Sequence, residues 1–486
     1  MGNGKVYFVG AGPGDSGLIT LKGRKLIEAA DVILYDRLVN SRLLEHAKAS
    51  CEFVYCGKLP DRHYMKQSEI NALLIEKGLQ GLKVVRLKGG DPSVFGRVGE
   101  EAAAVSEHGI PYEMVPGITS GIAAPLYAGL PVTHRDFASS FAVVTAHDKS
   151  GKPEMNWEGL AKGVQTLVFY MGIKNLGYIC EQLMKHGKSP LVPAMVIQWG
   201  TWGRQRSVKG TLQNIREKIT EHQIKNPAII VIGDIVSFRQ NSWFEEKPLI
   251  GLNMMAVKSC EEERVPVETL REQGAEVVEW PKWKSLETVP DDTVLERIAS
   301  FDSLLFTSSA SLRRFFSRLA ALKIDVREMR GRLYASDLHV KAALEERGFS
   351  AFLQAEMPIS DSCLLIGSRE AVQNQPHSGC EVLITHDRMI DSRFTSIIKR
   401  EIEEFPVDIV IFANRTCVEL FVNEAETIGL HPEKTAARLQ AVCLTEEAGK
   451  KAAAAGFQRV HIVNERDRLP DIIKGINRTA EFVCQS

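Results

Sequence analysis

Early in the chain three short apolar runs each end in a glycine-bearing turn. Gly10-Ala11-Gly12-Pro13-Gly14-Asp15 follows Lys5–Val9, Lys88-Gly89-Gly90-Asp91-Pro92 follows Lys83–Leu87, and Pro116-Gly117-Ile118-Thr119-Ser120-Gly121 follows a third run. Glycine lets backbone turn sharply and approach closely, so three such turns after strands predict one ligand held in the crevice at the strand ends. A ligand gripped by backbone rather than by a basic cradle need not carry phosphate. The one fixed acid there, Asp91, suits a ribose or a cation better than a phosphate.

The surrounding pattern is α/β. Thr20 is placed to cap a helix over 21–30, with Leu26, Ile27 and Ala30 on one face, and Asp31–Tyr35 then reads as a buried strand. Strand-like runs recur at Phe141–Thr145, Thr166–Tyr170, Ala194–Gln198 and Ala228–Ile232, with helical stretches between many of them. A polar break at Trp243–Pro248 precedes another predicted strand, Leu249–Val257, and a second α/β half. In that half Ser303–Phe306 precedes a helix over 309–321, and Asp408–Phe412 precedes one over 416–425. The expected division is therefore 1–245 and then 247–486.

A length of 486 residues is enough for about three to four domains. With 60 basic against 61 acidic residues, an extended surface for nucleic acid or anionic membrane is not expected, whereas a local basic cleft for a small anion is compatible. The apolar stretch Val6–Val9 is too short for a signal-peptide core, and no apolar run approaches bilayer length. Nine scattered cysteines, without CxxC or HExxH, argue for a reduced cytoplasmic protein with neither disulfides nor a metal site.

Gly12-Pro13-Gly14-Asp15-Ser16-Gly17 also matches the GxGxxG of dinucleotide sites, with Asp36 at a suitable distance for a ribose contact. Its context differs. A dinucleotide loop opens its helix almost at once, whereas here Leu18 and Ile19 intervene before the cap at Thr20. Taken alone, the loop leaves a nicotinamide, another adenosyl ligand and a structural turn all open.

The segments together resemble uroporphyrinogen-III C-methyltransferases of the tetrapyrrole methylase family. They are GAGPGD (10–15), ITLKG (19–23), YDRLV (35–39), VVRLKGGDP (84–92), VFGR (94–97), VPGITS (115–120), AGLPVTHRDFASSF (128–141), TLVFYMG (166–172), GTL (210–212), NPAIIVIG (226–233) and WFE (243–245). The sequence departs from the family pattern at Leu59, Ser93, Val98, Gly121 and Ala146, of which Leu59 bears on how an acidic substrate is gripped.

The resemblance implies a two-lobed tetrapyrrole methylase fold, with lobes of about 1–117 and 118–245, and S-adenosyl-L-methionine as methyl donor, released as S-adenosyl-L-homocysteine. The donor site would comprise Pro13, Gly89, Gly90, Asp91, Val94, Thr119, Ser120, Met171, Gly200 and Ala228. Asp36 matches the family's proton acceptor and Lys58 its proton donor. On the residues alone, Asp36 could equally cap its own turn and Lys58 be a solvated lysine. The implied reaction methylates two pyrrole rings of uroporphyrinogen III to precorrin-2, from which cobalamin or sirohaem could follow. Its acetate and propionate arms need cations, and the candidates are Arg62, His63, Arg86, Arg97 and Arg135 alongside Lys58. The family leans towards a homodimer through this half.

The second half resembles uroporphyrinogen-III synthase at Phe301–Ser308, at LEERG (344–348) and at the repeated element Asp408–Asn414. That implies one lobe of about 247–281 plus 388–486 and another of about 282–387, embracing a linear tetrapyrrole. Thr307 and Ser308 are the candidate substrate contacts, or else the N-cap of helix 309–321. The family's Thr-Arg-Pro is here Lys258-Ser259-Cys260, its second Thr-Ser is Ala413-Asn414, and its assisting tyrosine has no counterpart. Two possibilities stay open: cyclisation of hydroxymethylbilane to uroporphyrinogen III, or a degenerate, non-catalytic binding module.

Overall fold

A computed structural model describes residues 4–57, 65–146, 152–238, 241–260, 263, 265–288, 291–360, 362–373, 379–463 and 468–484. Its strands form four sheets. The first comprises β1 (Lys5–Gly10), β2 (Val32–Tyr35), β3 (Glu52–Tyr55), β4 (Lys83–Lys88) and β5 (Tyr112–Val115), all parallel in the order β3-β2-β4-β1-β5. The second comprises β6 (Phe141–Thr145), β7 (Thr166–Tyr170), β8 (Pro193–Gln198), β9 (Arg206–Thr211) and β10 (Ala228–Ile232), in the order β6-β7-β10-β8-β9. Only its β6–β7 pair is parallel.

Beyond residue 250 one sheet is inserted within another. β11 (Asn253–Val257) and β12 (Glu276–Trp280) begin the third sheet. The chain then builds the whole fourth sheet from β13 (Trp283–Glu287), β14 (Ser303–Phe306), β15 (Arg332–Ala335), β16 (Ala351–Leu353), β17 (Cys363–Ser368) and β18 (Glu381–Ile390). It returns to the third with β19 (Ile409–Phe412), β20 (Gln440–Cys443) and β21 (Arg459–Ile462), giving the order β12-β11-β19-β20-β21. The α/β class is thus observed in both halves. The strand expected over Leu249–Val257 is shorter, because Gly251 takes φ +83° and its N–H turns away to the Gly203 carbonyl at 2.6 Å.

Six helices matter for the site: α1 (Leu21–Ala29), α2 (Gln67–Leu79), α3 (Val98–Glu107), α4 (Ser120–Tyr127), α5 (Ser309–Leu322) and α6 (Thr395–Glu404). Helix α1 starts where its cap dictates, since the Thr20 hydroxyl accepts the Gly23 N–H at 3.0 Å. Side chains alternate across the first sheet. Val6, Phe8, Val32, Leu34 and Val84 face α2 and α3. Val9, Ile33, Tyr35, Val85 and Leu87 face the other way, into a core continuous with Met254, Phe394, Ile397 and Ile398 of the second half. The two halves therefore share buried apolar surface.

Candidate functional site

β4, β1 and β5 are neighbours, so the three glycine turns leave the sheet side by side at its carboxyl edge. They are bonded to one another directly. Gly90 N–H donates to the Gly12 carbonyl at 2.7 Å and Gly12 N–H returns a bond to Gly90 at 3.2 Å, both glycines holding positive φ. Gly10 and Gly117 touch backbone to backbone. A Cβ on Gly10 would stand 2.5 Å from the Gly117 nitrogen, and one on Gly117 would stand 2.8 Å from the Gly10 Cα and collide with the Gly90 carbonyl. Asp91 joins the second turn to the third, accepting the Ser93 N–H at 2.7 Å on one oxygen and the Gly117 N–H at 3.0 Å on the other. The loop after β1 does not open a helix at once: Ser16–Leu18 forms a short 3-10 turn first.

Asp36 stands at the tip of β2, next to β4. Its carboxylate accepts from Arg86 at 2.6 Å and remains about a third exposed, at 32%. Arg86 and Lys88 alternate with Val85 and Leu87 along β4, which turns both cations toward α3 rather than to solvent. There they meet the fully buried Glu101, at 3.3 Å from Arg86 and 2.9 Å from Lys88, with Gln67 donating at 3.0 Å to the same oxygen. Burial opposes the charge on Arg86, but Asp36 and Glu101 outweigh it and hold its pKa above the ordinary arginine value. Lys88 is shifted down by its burial and by Arg86.

The facing wall comes from the second sheet. Tyr170, the last residue of β7, places its hydroxyl 2.6 Å from that of Thr119 and accepts the Gly121 N–H. The exposed Phe95 packs on its ring at 5.2 Å, and the exposed Met171 follows with φ +54°. After β8, Gly200 lies so close to α4 that a Cβ there would run into Ala124, and Thr201 accepts the Asp15 N–H at 3.0 Å. Tyr127 donates to Asp15 at 2.8 Å. Ala228 opens β10 beside Gln198 at the end of β8. Pro13, Val94 and Ser120 are half-buried in the turns or at the start of α4. Tyr170, Tyr127, Thr201 and Glu101 were not expected. Each is a polar group closing an apolar run or a helix face, and only long-range packing gives it a partner.

The expected cations divide. Arg86 is a correction: with 2% exposure and both carboxylates in hand, its guanidinium is not free to grip a substrate arm. Arg97 is exposed at the start of α3 and bonds Glu100 at 2.8 Å through Nε, while Arg135 is exposed. Lys58, Arg62 and His63 lie outside the described residues.

In the second half, Ser308 caps α5, accepting the Ser311 N–H at 3.1 Å, and the Thr307 hydroxyl donates to the Ile366 carbonyl at 3.3 Å. Both hydroxyls thus have partners within the protein. At the adjoining tips of β11 and β19, Glu263 accepts from Asn414 at 2.8 Å and from Ser259. A cavity of about 350 Å³ lies where the two sheets of this half meet the segment Glu45–Ala49. Six cations line it (Lys258, Lys282, Lys284, Arg313, Arg314 and Arg393) against three carboxylates (Glu45, Glu279 and Asp391). Burial raises the Glu279 carboxyl, but Lys282, Lys258 and Arg271 outweigh it and leave it at about 2.

Residues 5–216 match the family model described as Tetrapyrrole (Corrin/Porphyrin) Methylases. The chain is 58% identical to a uroporphyrinogen-III C-methyltransferase of Bacillus subtilis (strain 168), over 96% of each chain. It is 33% identical to the porphyrin biosynthesis protein HemD of Ruminiclostridium josui, over 97% of each. Among solved structures, the Thermus thermophilus uroporphyrin-III C-methyl transferase complexed with S-adenyl homocysteine is 39% identical with a TM-score of 0.42, covering 48% of this chain and 100% of that one.

Proposed function

The chain belongs to the uroporphyrinogen-III C-methyltransferase family within the tetrapyrrole methylases, and from that premise we propose that it methylates two pyrrole rings of uroporphyrinogen III to give precorrin-2. The observation that carries this reading is the junction of three glycine turns at the tips of β4, β1 and β5, one strand away from Asp36. Bare backbone, the Tyr170 hydroxyl and exposed Phe95 and Met171 suit an uncharged adenosyl body better than a phosphate. S-adenosyl-L-methionine would be held by Pro13, Gly89, Gly90, Asp91, Val94, Thr119, Ser120, Met171, Gly200 and Ala228. When bound, it supplies a methyl group on a cationic sulfur, which an electron-rich pyrrole carbon takes.

The chain's own residues do the rest. The turns and Tyr170 orient, since reacting atoms must sit about 3–3.5 Å apart and in line. Asp36, aimed by Arg86, accepts the proton the methylated ring gives up. Lys58 is the proposed donor, and Arg97, Arg135, Arg62 and His63 the proposed contacts to the carboxylate arms. We take 1–245 as the methyltransferase and 247–486 as the synthase-like unit, in a cytoplasmic homodimer joined through the first. Incubation of the purified chain with S-adenosyl-L-methionine and uroporphyrinogen III should add one and then two methyl masses. No turnover there, with methylation of a later precorrin instead, would redirect the reading to another ring position.

For the second half, the net-cationic cavity supports binding of a polycarboxylate, and the catalytic reading is cyclisation of hydroxymethylbilane with Thr307 and Ser308 as the candidate substrate contacts. A specific observation favours the alternative of a non-catalytic module: Glu263 puts a carboxylate of the protein at the tips of β11 and β19, where an acidic arm would be repelled. Hydroxymethylbilane supplied without methyl donor separates the two. An excess of isomer III over isomer I indicates synthase activity, and its lack indicates the module.

A further inference from the structure

Helix α6 belongs to the second half, yet its residues grip both neighbours of Asp36. Arg400 donates to the Tyr35 hydroxyl at 2.7 Å, and its guanidinium lies 3.6 Å from the centre of the Tyr55 ring. Four residues on, Glu404 accepts from Arg37 at 2.5 Å. An i,i+4 spacing puts Arg400 and Glu404 on one face of the helix, so the two contacts form together. The seat beneath them is apolar. Phe394 meets Phe53 edge to face at 5.5 Å, and Ile397 and Ile398 are buried in the shared core. Just beyond the helix, Phe405 packs on Trp199 at 5.1 Å, the residue before Gly200. Arg393, before the helix, donates to the Cys51 carbonyl at 2.8 Å, ahead of β3.

We infer that α6 is a positioning element of the methyl-transfer site: Arg400 and Glu404 fix the residues on either side of Asp36 while Arg86 aims its carboxylate. The inference rests on the base assignment for Asp36 and gives the second half a part in methylation that needs no synthase chemistry. Tyr35 is 5% exposed and leads directly into Asp36, so displacing its ring displaces the carboxylate. A shift of about 1 Å at a reacting group costs on the order of a hundredfold in rate. Partial release of one anchor should cost less, about tenfold.

The test is a double-mutant cycle on the full chain, with Asp36→Ala, Arg400→Ala and both together, assayed for methyl transfer to uroporphyrinogen III. Groups acting through one another are non-additive. Arg400→Ala should lower kcat about tenfold, leave KM for S-adenosyl-L-methionine unchanged, and slow the Asp36→Ala enzyme no further. Arg400→Lys, which keeps the cation over Tyr55, should recover part of the rate. Should Arg400→Ala fail to fold, Tyr35→Phe and Glu404→Gln each remove one anchor alone and should show the same kcat loss and the same non-additivity. An equal loss in both backgrounds, or a rate unaffected by any anchor variant while Asp36→Ala is slow, overturns the positioning role and leaves the base assignment intact. Parental activity in Asp36→Ala overturns the base assignment and the inference together.

Discussion

Arg86 bonds Asp36 at 2.6 Å from a side chain that is 2% exposed, whereas Asp36 itself is 32% exposed. The cation lies beneath the floor of the cleft and the acid stands above it. The guanidinium is thus an internal tether, shared with Glu101 at 3.3 Å, and it orients Asp36 toward the open side.

Removing that tether should hurt stability as well as rate. Arg86→Leu leaves Glu101 buried with only Lys88 and Gln67, and a buried pair broken on one side costs about 3–5 kcal/mol. Denaturant unfolding should register a loss of that order. An Arg86→Leu enzyme as stable as the parent would mean that water replaces the guanidinium.

The contact between Gly10 and Gly117 leaves no room for a methyl group. Gly117→Ala must part the turn after β5 from those after β4 and β1, because its Cβ would overlap the Gly90 carbonyl and stand 2.8 Å from the Gly10 Cα. Affinity for S-adenosyl-L-methionine, measured by calorimetry, should fall at least tenfold, about 1.4 kcal/mol. Unchanged affinity would detach the donor site from this junction.

Tyr170 joins Thr119 and Gly121 through one oxygen. Tyr170→Phe leaves the ring on Phe95 but orphans the Gly121 N–H, at about 1–3 kcal/mol for an unsatisfied buried group. We expect weaker binding of the methyl donor by roughly tenfold, with thermal stability reduced by a few degrees. A drop in stability alone would limit the Tyr170 hydroxyl to fastening the start of α4 to β7.

Glu401, on α6 between Arg400 and Glu404, has its pKa pushed up to about 7, chiefly by burial, with Glu276 adding to it and a Ser41 hydrogen bond opposing. Lys282 and Arg204 also oppose the rise. A carboxyl raised on folding contributes stability below its unfolded value of about 4.3, and that contribution is lost as pH rises through 7. Glu401→Gln removes this dependence. The melting temperature of Glu401→Gln relative to the parent should therefore climb between pH 5 and 7.5 and level off above. A difference that stays constant across this range would place the titration elsewhere.

The division between what was legible in the sequence and what was not follows the range of the forces. Glycine turns after apolar runs, the Thr20 cap and Asp36 at a strand end are written in neighbouring residues, because turn geometry and capping are settled within a few positions. Arg86 was misjudged because charge suggests exposure, while the alternation of β4 turns it onto Glu101, a partner that only the packing of α3 supplies. In the second half, the expectation that a middle segment of about 282–387 forms its own lobe came from the resemblance and not from the strand pattern, since parallel pairing is non-local.

The sequence by itself determined the α/β class, the three turns and their shared chemistry, since backbone conformation answers to local residue type. Only the tertiary structure decided which cation stands behind Asp36, which tyrosine ties the facing wall, and that α6 reaches across from the second half. Those choices depend on burying side chains far apart in sequence, and such surfaces find each other only once the sheets have packed.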